Sequence, residues 1–150
     1  MEFRAALDSV LEGMGLSVSE QADRQGFSLL FDNEHEIAFE PDGKDGTVVF
    51  HAEVGDAAGL GVAALRALLE ASLLGVNTAG AAFSIEPRLG KVILWKRFGE
   101  FPDGAALRRD LEAFLGQVLH WKKRLAEGVT IAGGEDVAMR EPIPSSFIEV

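Results

Sequence analysis

Hydrophobic positions in the first third of the chain follow two different periods. Apolar residues recur at helical spacing in segment 3–14, and Gly13 and Gly15 favour the end of that helix. Three extended segments follow, FSLLF, HEIAFE and TVVFHAEV, separated by residues 32–34 and 41–46, which are rich in turn-forming side chains. The pattern predicts an amphipathic helix followed by an antiparallel meander of three strands.

Side chains in these three strands alternate between two faces, because successive residues of a strand point to opposite sides. One face is apolar and is predicted to form the core: Phe27, Leu29, Phe31, Ile37, Phe39, Val48 and Phe50. The other face mixes Leu30, Ala38 and Val49 with charged and polar residues. The second face is therefore not a purely solvated surface.

The next part of the chain predicts a second helix and a hairpin. The helix, at about residues 60–74, is apolar on nearly all sides, and the hairpin pairs AAFSIE with KVILWKRF. In the last strand of the hairpin Ile93 and Trp95 oppose Val92 and Leu94, so both faces require cover. Since one domain easily covers only one of these faces, the surplus apolar surface predicts a partner chain.

A third helix is predicted from about Pro102 or Asp103 to Glu127, with Asp103 available as its N-cap and Gly128 at its end. The complete order, α-β-β-β-α-β-β-α, predicts an α+β domain over residues 1–128. It would contain three helices and a twisted antiparallel five-stranded sheet. The remaining residues, 129–150, mix glycine, proline and acidic residues with isolated apolar ones, and are predicted to be a flexible or loosely docked tail.

Composition limits the classes of partner. The 150 residues carry 24 acidic and 14 basic side chains, a formal charge of −10, which disfavours nucleic acid and anionic membrane surfaces as partners. The absence of cysteine excludes disulfides and thiolate metal sites. No apolar run is long enough to insert into a membrane, and no basic-then-apolar leader opens the chain, so we expect a cytoplasmic protein.

Candidate catalytic and ligand motifs are weak. Residues 59–64 fit the relaxed G-x-G-x-x-A pattern, but the following strands predict a hairpin and no acidic residue lies about 20 positions further on. The stretch His35-Glu36-Ile37-Ala38-Phe39 lacks the second histidine of a zinc protease helix. His51 and Glu53 share a strand face without a third ligand. We therefore expect no enzymatic activity, cofactor or metal.

The stretch LLEASLLGVNTAGAAFSIEPRLGKVILW at residues 68–95 resembles a segment of the type III secretion chaperones of the Tir chaperone family. The family's segment consists of a leucine-rich helix, a small-residue break and a strand pair around a glycine turn. The helix before Gly15-Leu16 and the sequence LEAFL in the last helix add to the resemblance, which covers residues 1–127. It implies an effector-specific homodimer that holds an extended N-terminal segment of a secreted effector without nucleotide and keeps it competent for export. It also implies the export apparatus as a further partner.

The resemblance, combined with the surplus apolar positions, gives two sets of candidate residues. The predicted dimer interface comprises Leu69, Ala71, Leu73, Ile93 and Trp95. The predicted effector-binding surface comprises Leu30, Ala38, Val49, Phe3 and Val10 together with any exposed strand edge. Two alternatives remain: a small-ligand-binding α+β domain, and a regulatory dimer that uses its own tail, with Ile143, Phe147 and Ile148, as an internal ligand.

Overall fold

A six-stranded antiparallel sheet forms one layer of the computed structural model. The second and third helices pack against one of its faces, and the first helix packs against the third. The structure describes residues 3–14, 18–20, 26–42, 47–99 and 103–128. The elements in chain order are α1 (Phe3–Met14), β1 (Val18–Glu20), β2 (Phe27–Phe31), β3 (His35–Asp42), β4 (Thr47–Asp56), α2 (Val62–Ala71), β5 (Ala82–Glu86), β6 (Lys91–Phe98) and α3 (Gly104–Ala126). All five predicted strands and three helices occur in the predicted order, which confirms the α+β fold.

The order of the strands across the sheet is β1-β2-β3-β4-β6-β5. The hairpin formed by β5 and β6 therefore joins the meander through β6, which pairs with β4, and β5 lies at one edge of the sheet. The other edge is β1, a three-residue strand paired with β2 that the sequence pattern did not predict. A segment this short has too few alternating positions to give a strand signal.

Aromatic side chains on the inner face of the sheet form the centre of the core. Phe50 is fully buried, and its ring centroid lies 4.5 Å from that of Phe39, 4.0 Å from that of Phe98 and 6.0 Å from that of Phe114. The predicted core face of the meander is confirmed, since its residues are buried except Phe27, which packs against the core while partly exposed. The core thus joins the meander to β6 and α3.

The second helix is shorter than predicted. It ends at Ala71, and Ser72 follows with its hydroxyl donating to the Leu68 carbonyl at 2.8 Å and accepting from the Phe83 amide at 3.0 Å. A 3₁₀ turn over Leu73–Gly75 comes next, with Leu74 in the left-handed region at φ 52°. Because a left-handed residue cannot be part of a right-handed α-helix, the helix cannot run through to residue 74.

The third helix follows its sequence signals closely. The Asp103 carboxylate accepts a hydrogen bond from the Ala106 amide at 2.7 Å, and α3 then runs from Gly104 to Ala126. Its buried residues are Leu107, Leu111, Phe114, Val118 and Trp121. No described helix is both long enough and apolar enough to span a membrane. The predicted tail, residues 129–150, lies outside the described residues.

Candidate protein-binding surfaces

The outer face of the sheet, opposite the helices, has a defined order of side chains. One cross-strand row contains Ala38, His51, Trp95 and Ala82, because these residues are successive ladder partners in β3, β4, β6 and β5. In the β4–β6 ladder Glu53 lies opposite Ile93, and in the β2–β3 ladder Leu30 lies opposite Glu36. Apolar and acidic positions therefore alternate across this face.

The structure places three of the five predicted effector-binding residues on this outer face. Leu30 is 45% exposed, and Ala38 and Val49 are half-buried. Val10 is instead only 5% exposed, because α1 buries it in the core, so it offers no surface to a peptide in this conformation. Phe3 is the first residue of α1, and its side chain lies outside the described part of the structure.

Strands β3 and β4 diverge in the middle of the outer face. Their ladder begins at Asp42 and Thr47 and ends at Ala38 and His51, although β3 continues back to His35. A shift in the register of β4 against β6, between Glu53 and Gly55, accompanies this divergence. Bulges of this kind bend a strand and increase its twist, so the second half of β4 follows β6 and leaves β3.

The divergence opens a trough of about 600 Å³ between the two strands. Its lining residues are Glu34, Glu36, Ala38, Glu40, His51, Ala52, Glu53, Val54, Gly55, Ile93 and Lys122. Its position depends on the close approach of α3 to β4, since a Cβ atom at Gly55 would lie 3.1 Å from Cδ1 of Leu125. Sequence periodicity did not predict the trough, because periodicity gives the faces of a strand and not the point at which a ladder ends.

Charged groups in and beside the trough are paired to different degrees. Glu40 lies 3.1 Å from His51 Nε2, and Glu53 lies 3.0 Å from Lys91 Nζ, which also pairs with Asp56 at 2.7 Å. Hydrogen bonds to Asp56 and Glu53 raise the pKa of Lys91 above its ordinary value. Within the described ranges Glu36 has no ion-pair partner, so its carboxylate is the least compensated charge of the trough.

Lys122 is the one lysine or arginine among the residues that line the trough. It comes from α3, and its Nζ lies 3.1 Å from Nδ1 of His35, so the ammonium is directed towards the inner side of β3. His35 also lies 3.8 Å from the Glu34 carboxylate. Lys122 thus connects the floor of the trough to α3, while glutamate side chains make its upper rim acidic.

A second candidate surface is an apolar groove between α2 and the edge strand β5. It has a volume of about 330 Å³ and is lined by Leu65, Leu68, Leu69, Phe83, Ser84, Ile85 and Val92. Leu69 is 71% exposed beside it, and Leu73 is 52% exposed in the 3₁₀ turn. Exposed leucines at this density are unusual for a monomer and are typical of protein interfaces.

The structure divides the predicted dimer-interface residues between two places. Leu69 and Leu73 are exposed on the helical side next to β5, while Ala71 is half-buried against the core. Ile93 and Trp95 lie on the outer face of β6, with β5 as their neighbour. The two places meet at the edge strand β5, so they belong to one surface only if a partner covers that edge.

The turn of the β5–β6 hairpin is held by an acidic side chain. Both carboxylate oxygens of Glu86 accept hydrogen bonds from backbone amides, one from Leu89 at 2.7 Å and one from Arg88 at 3.2 Å. The Leu89 amide is the main cause of a lowered pKa at Glu86, and the Arg88 amide and guanidinium act in the same direction. These bonds fix the end of the hairpin that borders the apolar groove.

The motifs that the sequence suggested for metals form no complete ligand set. His35 to Phe39 lies in β3 as predicted, and His51 pairs with Glu40 instead of with Glu53. Among the described residues, no three or more histidine and acidic side chains converge in a way that would hold a metal ion.

Residues 5–122 match the model of the Tir chaperone protein (CesT) family. The chain belongs to this family. No curated protein matches the sequence significantly.

Solved structures show the same fold at low sequence identity. A chain of the HopA1–SchA chaperone–effector complex has a TM-score of 0.66 at 14% identity, with 81% of this chain and 93% of that chain covered. The Yersinia pestis type III secretion chaperone SycH, in complex with a fragment of YscM2, gives 0.60 at 14% identity, with 78% and 97% covered. YbjN from E. coli, described as a putative transcription regulator, gives 0.57 at 19% identity, with 81% and 89% covered.

Proposed function

We propose that this protein is a cytoplasmic chaperone that binds an extended N-terminal segment of a secreted effector and keeps it competent for type III secretion. Membership of the Tir chaperone family carries the proposal. The structural neighbours in the HopA1–SchA and SycH–YscM2 complexes support it, since both come from chaperone complexes. Neither nucleotide nor catalysis is part of the proposed function, and contact with the export apparatus is its final step.

The outer face of the sheet is the proposed effector-binding surface. Leu30, Ala38 and Val49 supply apolar contacts there, and no described helix covers them. Burial of apolar side chains of the effector contributes about 25 cal/mol per Å², and ordering of its extended chain costs several kcal/mol in return. The burial free energy and the ordering cost partly cancel, which favours stable but reversible binding.

The apolar groove, with the adjoining edge of β5, is the proposed dimer interface. The side chains of Leu69 and Leu73 are exposed and make little contribution to the core of the protomer. Ile93 and Trp95 lie on the outer face of β6, on the other side of the same sheet edge. A stable dimer buries on the order of 1,600 Å² in total. A second copy that covers both sides of β5 would remove the exposed leucines from water.

Co-expression tests the proposed effector site. The full chain is co-expressed with N-terminal segments of the proteins encoded beside its gene, and bound segments are identified after purification. Leu30→Asp and Val49→Asp should abolish capture, whereas Leu119→Asp, a matched change at an exposed leucine of α3, should not. Capture that survives both outer-face substitutions would place the effector elsewhere, and failure of every segment to bind would contradict the function.

A small-ligand protein of the same fold is the second candidate. The trough supports it, since about 600 Å³ falls within the range of small-molecule sites. The neighbour YbjN, described as a putative regulator, also has this fold outside the secretion complexes. Heat stabilisation by a metabolite, with no effector capture, would favour this alternative.

A further inference from the structure

We propose that the trough between β3 and β4 binds a lysine or arginine side chain of the extended effector segment, so that the preferred client carries a basic residue with apolar residues two positions before and after it. This inference rests on the proposed function and adds the chemistry of the client to it. Three features coincide in the trough: an interrupted strand ladder, an uncompensated carboxylate and flanking apolar side chains.

The interrupted ladder supplies a place for an extended chain. Within the described residues, β4 from Ala52 to Gly55 pairs with β6 and has no ladder partner on the side of β3. Unpaired strand backbone is a template for an added peptide strand, whose main-chain groups then form the missing hydrogen bonds. Ala52 and Gly55 of this unpaired stretch are among the residues that line the trough.

The charges select the side chains of that peptide. Glu34, Glu36, Glu40 and Glu53 line the trough, with Lys122 as the one lysine or arginine among its lining residues. Since Lys122 is directed to His35 and Glu36 has no ion-pair partner in the described part of the chain, the trough attracts a further cation. Charge-assisted hydrogen bonds to a carboxylate are the strongest available at such a site.

Apolar residues border the acidic positions on both sides. Leu30 pairs with Glu36 across β2 and β3, and Ile93 pairs with Glu53 across β4 and β6. In an extended peptide successive side chains point in opposite directions, and the side chains on one face stand two residues apart. A peptide crossing this face can therefore direct a basic residue into the trough while its neighbours on the same face pack on Leu30 or Ile93.

The chain's own C-terminal tail, residues 129–150, does not have the charge that favours binding in the trough. Residues 129–150 contain Glu135, Asp136, Glu141 and Glu149 against a single basic residue, Arg140. An acidic tail and an acidic trough repel each other. A basic segment from another protein has the complementary charge, and we commit to it as the occupant.

Synthetic peptides test the proposal on the full-length protein. The probe is a fluorescein-labelled peptide that contains the sequence valine-serine-lysine-serine-valine, so that valine lies two positions before and after lysine, and companion peptides carry glutamate or serine in place of lysine. Binding is measured by fluorescence anisotropy to wild type, to Glu36→Gln/Glu53→Gln and to Glu12→Gln/Glu127→Gln. The last variant has the same change in net charge at exposed residues outside the trough.

The proposal expects the lysine peptide to bind best and the trough variant to weaken it about tenfold, as two partly exposed ion pairs would. The remote variant should change its affinity less than about twofold. Equal loss in both variants, equal binding of the glutamate peptide, or no binding of the lysine peptide would overturn the proposal.

A co-purified effector segment separates this proposal from the proposed function. If the segment binds wild type and the trough variant equally, the basic-residue proposal fails and the chaperone function stands. If no segment binds while the lysine peptide does, the trough chemistry stands and the chaperone function fails.

Discussion

Trp95 and Ser84 are joined across the outer face of the β5–β6 hairpin: the indole Nε1 donates a hydrogen bond to the serine Oγ at 2.8 Å. The bond is diagonal, since Trp95 is the ladder partner of Ala82 and Ser84 is the partner of Ile93. It holds the indole over the edge strand, with its polar atom satisfied and its apolar ring available to a second chain. Aromatic side chains with this arrangement are common anchors of interfaces.

Trp95→Asp should therefore convert the proposed dimer into monomer or aggregate. A carboxylate at the centre of an apolar interface costs about 3 kcal/mol or more, which is roughly a hundredfold in the dissociation constant. Light scattering after size exclusion gives the mass, and circular dichroism checks the fold. A well-folded dimer would remove Trp95 from the interface.

Leu69→Asp gives a sharper test, because its side chain is already exposed in the protomer. Substitution should leave the thermal midpoint of unfolding of the protomer nearly unchanged, as most surface changes do. It should weaken the dimer by roughly a hundredfold if the residue is buried against the partner copy. Leu119→Asp on α3 is the matched control and should remain dimeric; dissociation of both variants would point to a general effect of added charge.

Phe50→Ala should lower the free energy of unfolding by about 3–5 kcal/mol, because it removes a fully buried ring from contact with three other aromatic side chains. Urea unfolding followed by circular dichroism measures the loss. Leu30→Ala, at an exposed position, should change stability by less than about 1 kcal/mol. Similar losses for the two variants would contradict the assignment of the core face.

Acid should weaken the hairpin turn through Glu86. Its pKa is lowered in the folded protein, so its contribution to stability is present above the ordinary value of 4.5 and is lost as the pH falls below it through the folded pKa. Glu86→Gln should lower the thermal midpoint slightly at pH 7 and by a smaller amount at pH 3. An equal decrease at both pH values would show that the carboxylate charge is not what stabilises the turn.

Truncation after Gly128 should leave the fold and the dimer intact. The family match ends at residue 122 and α3 ends at Ala126, so the removed residues lie beyond both. Circular dichroism and light scattering on residues 1–128 measure the outcome. Loss of folding would show that residues 129–150 are part of the domain.

Alternation and capping signals were sufficient to predict most of the fold. Phe39 and Phe50 lie on the core face that period two assigns to them, and Asp103 caps α3 as its position predicts. Val10 shows the limit of the same reasoning, since helical spacing identifies an apolar face and cannot tell whether another helix covers it. α1 packs against α3, and Val10 is buried in the core.

The trough lay beyond sequence reasoning for a different physical reason. Glu36 and Glu53 are both on outer-face positions, but their proximity to an open ladder depends on where β4 leaves β3. That divergence follows from a bulge next to Gly55 and from the approach of Leu125, a residue about 70 positions later. Long-range packing of this kind has no local signature in the sequence.

The most direct test of the chaperone function is the mass of the purified full chain by size exclusion with light scattering, alone and after co-expression with the product of the adjacent gene. We predict a dimer for the chain alone, and a dimer carrying one client chain with an extended bound segment after co-expression. A monomer that captures no client would contradict it.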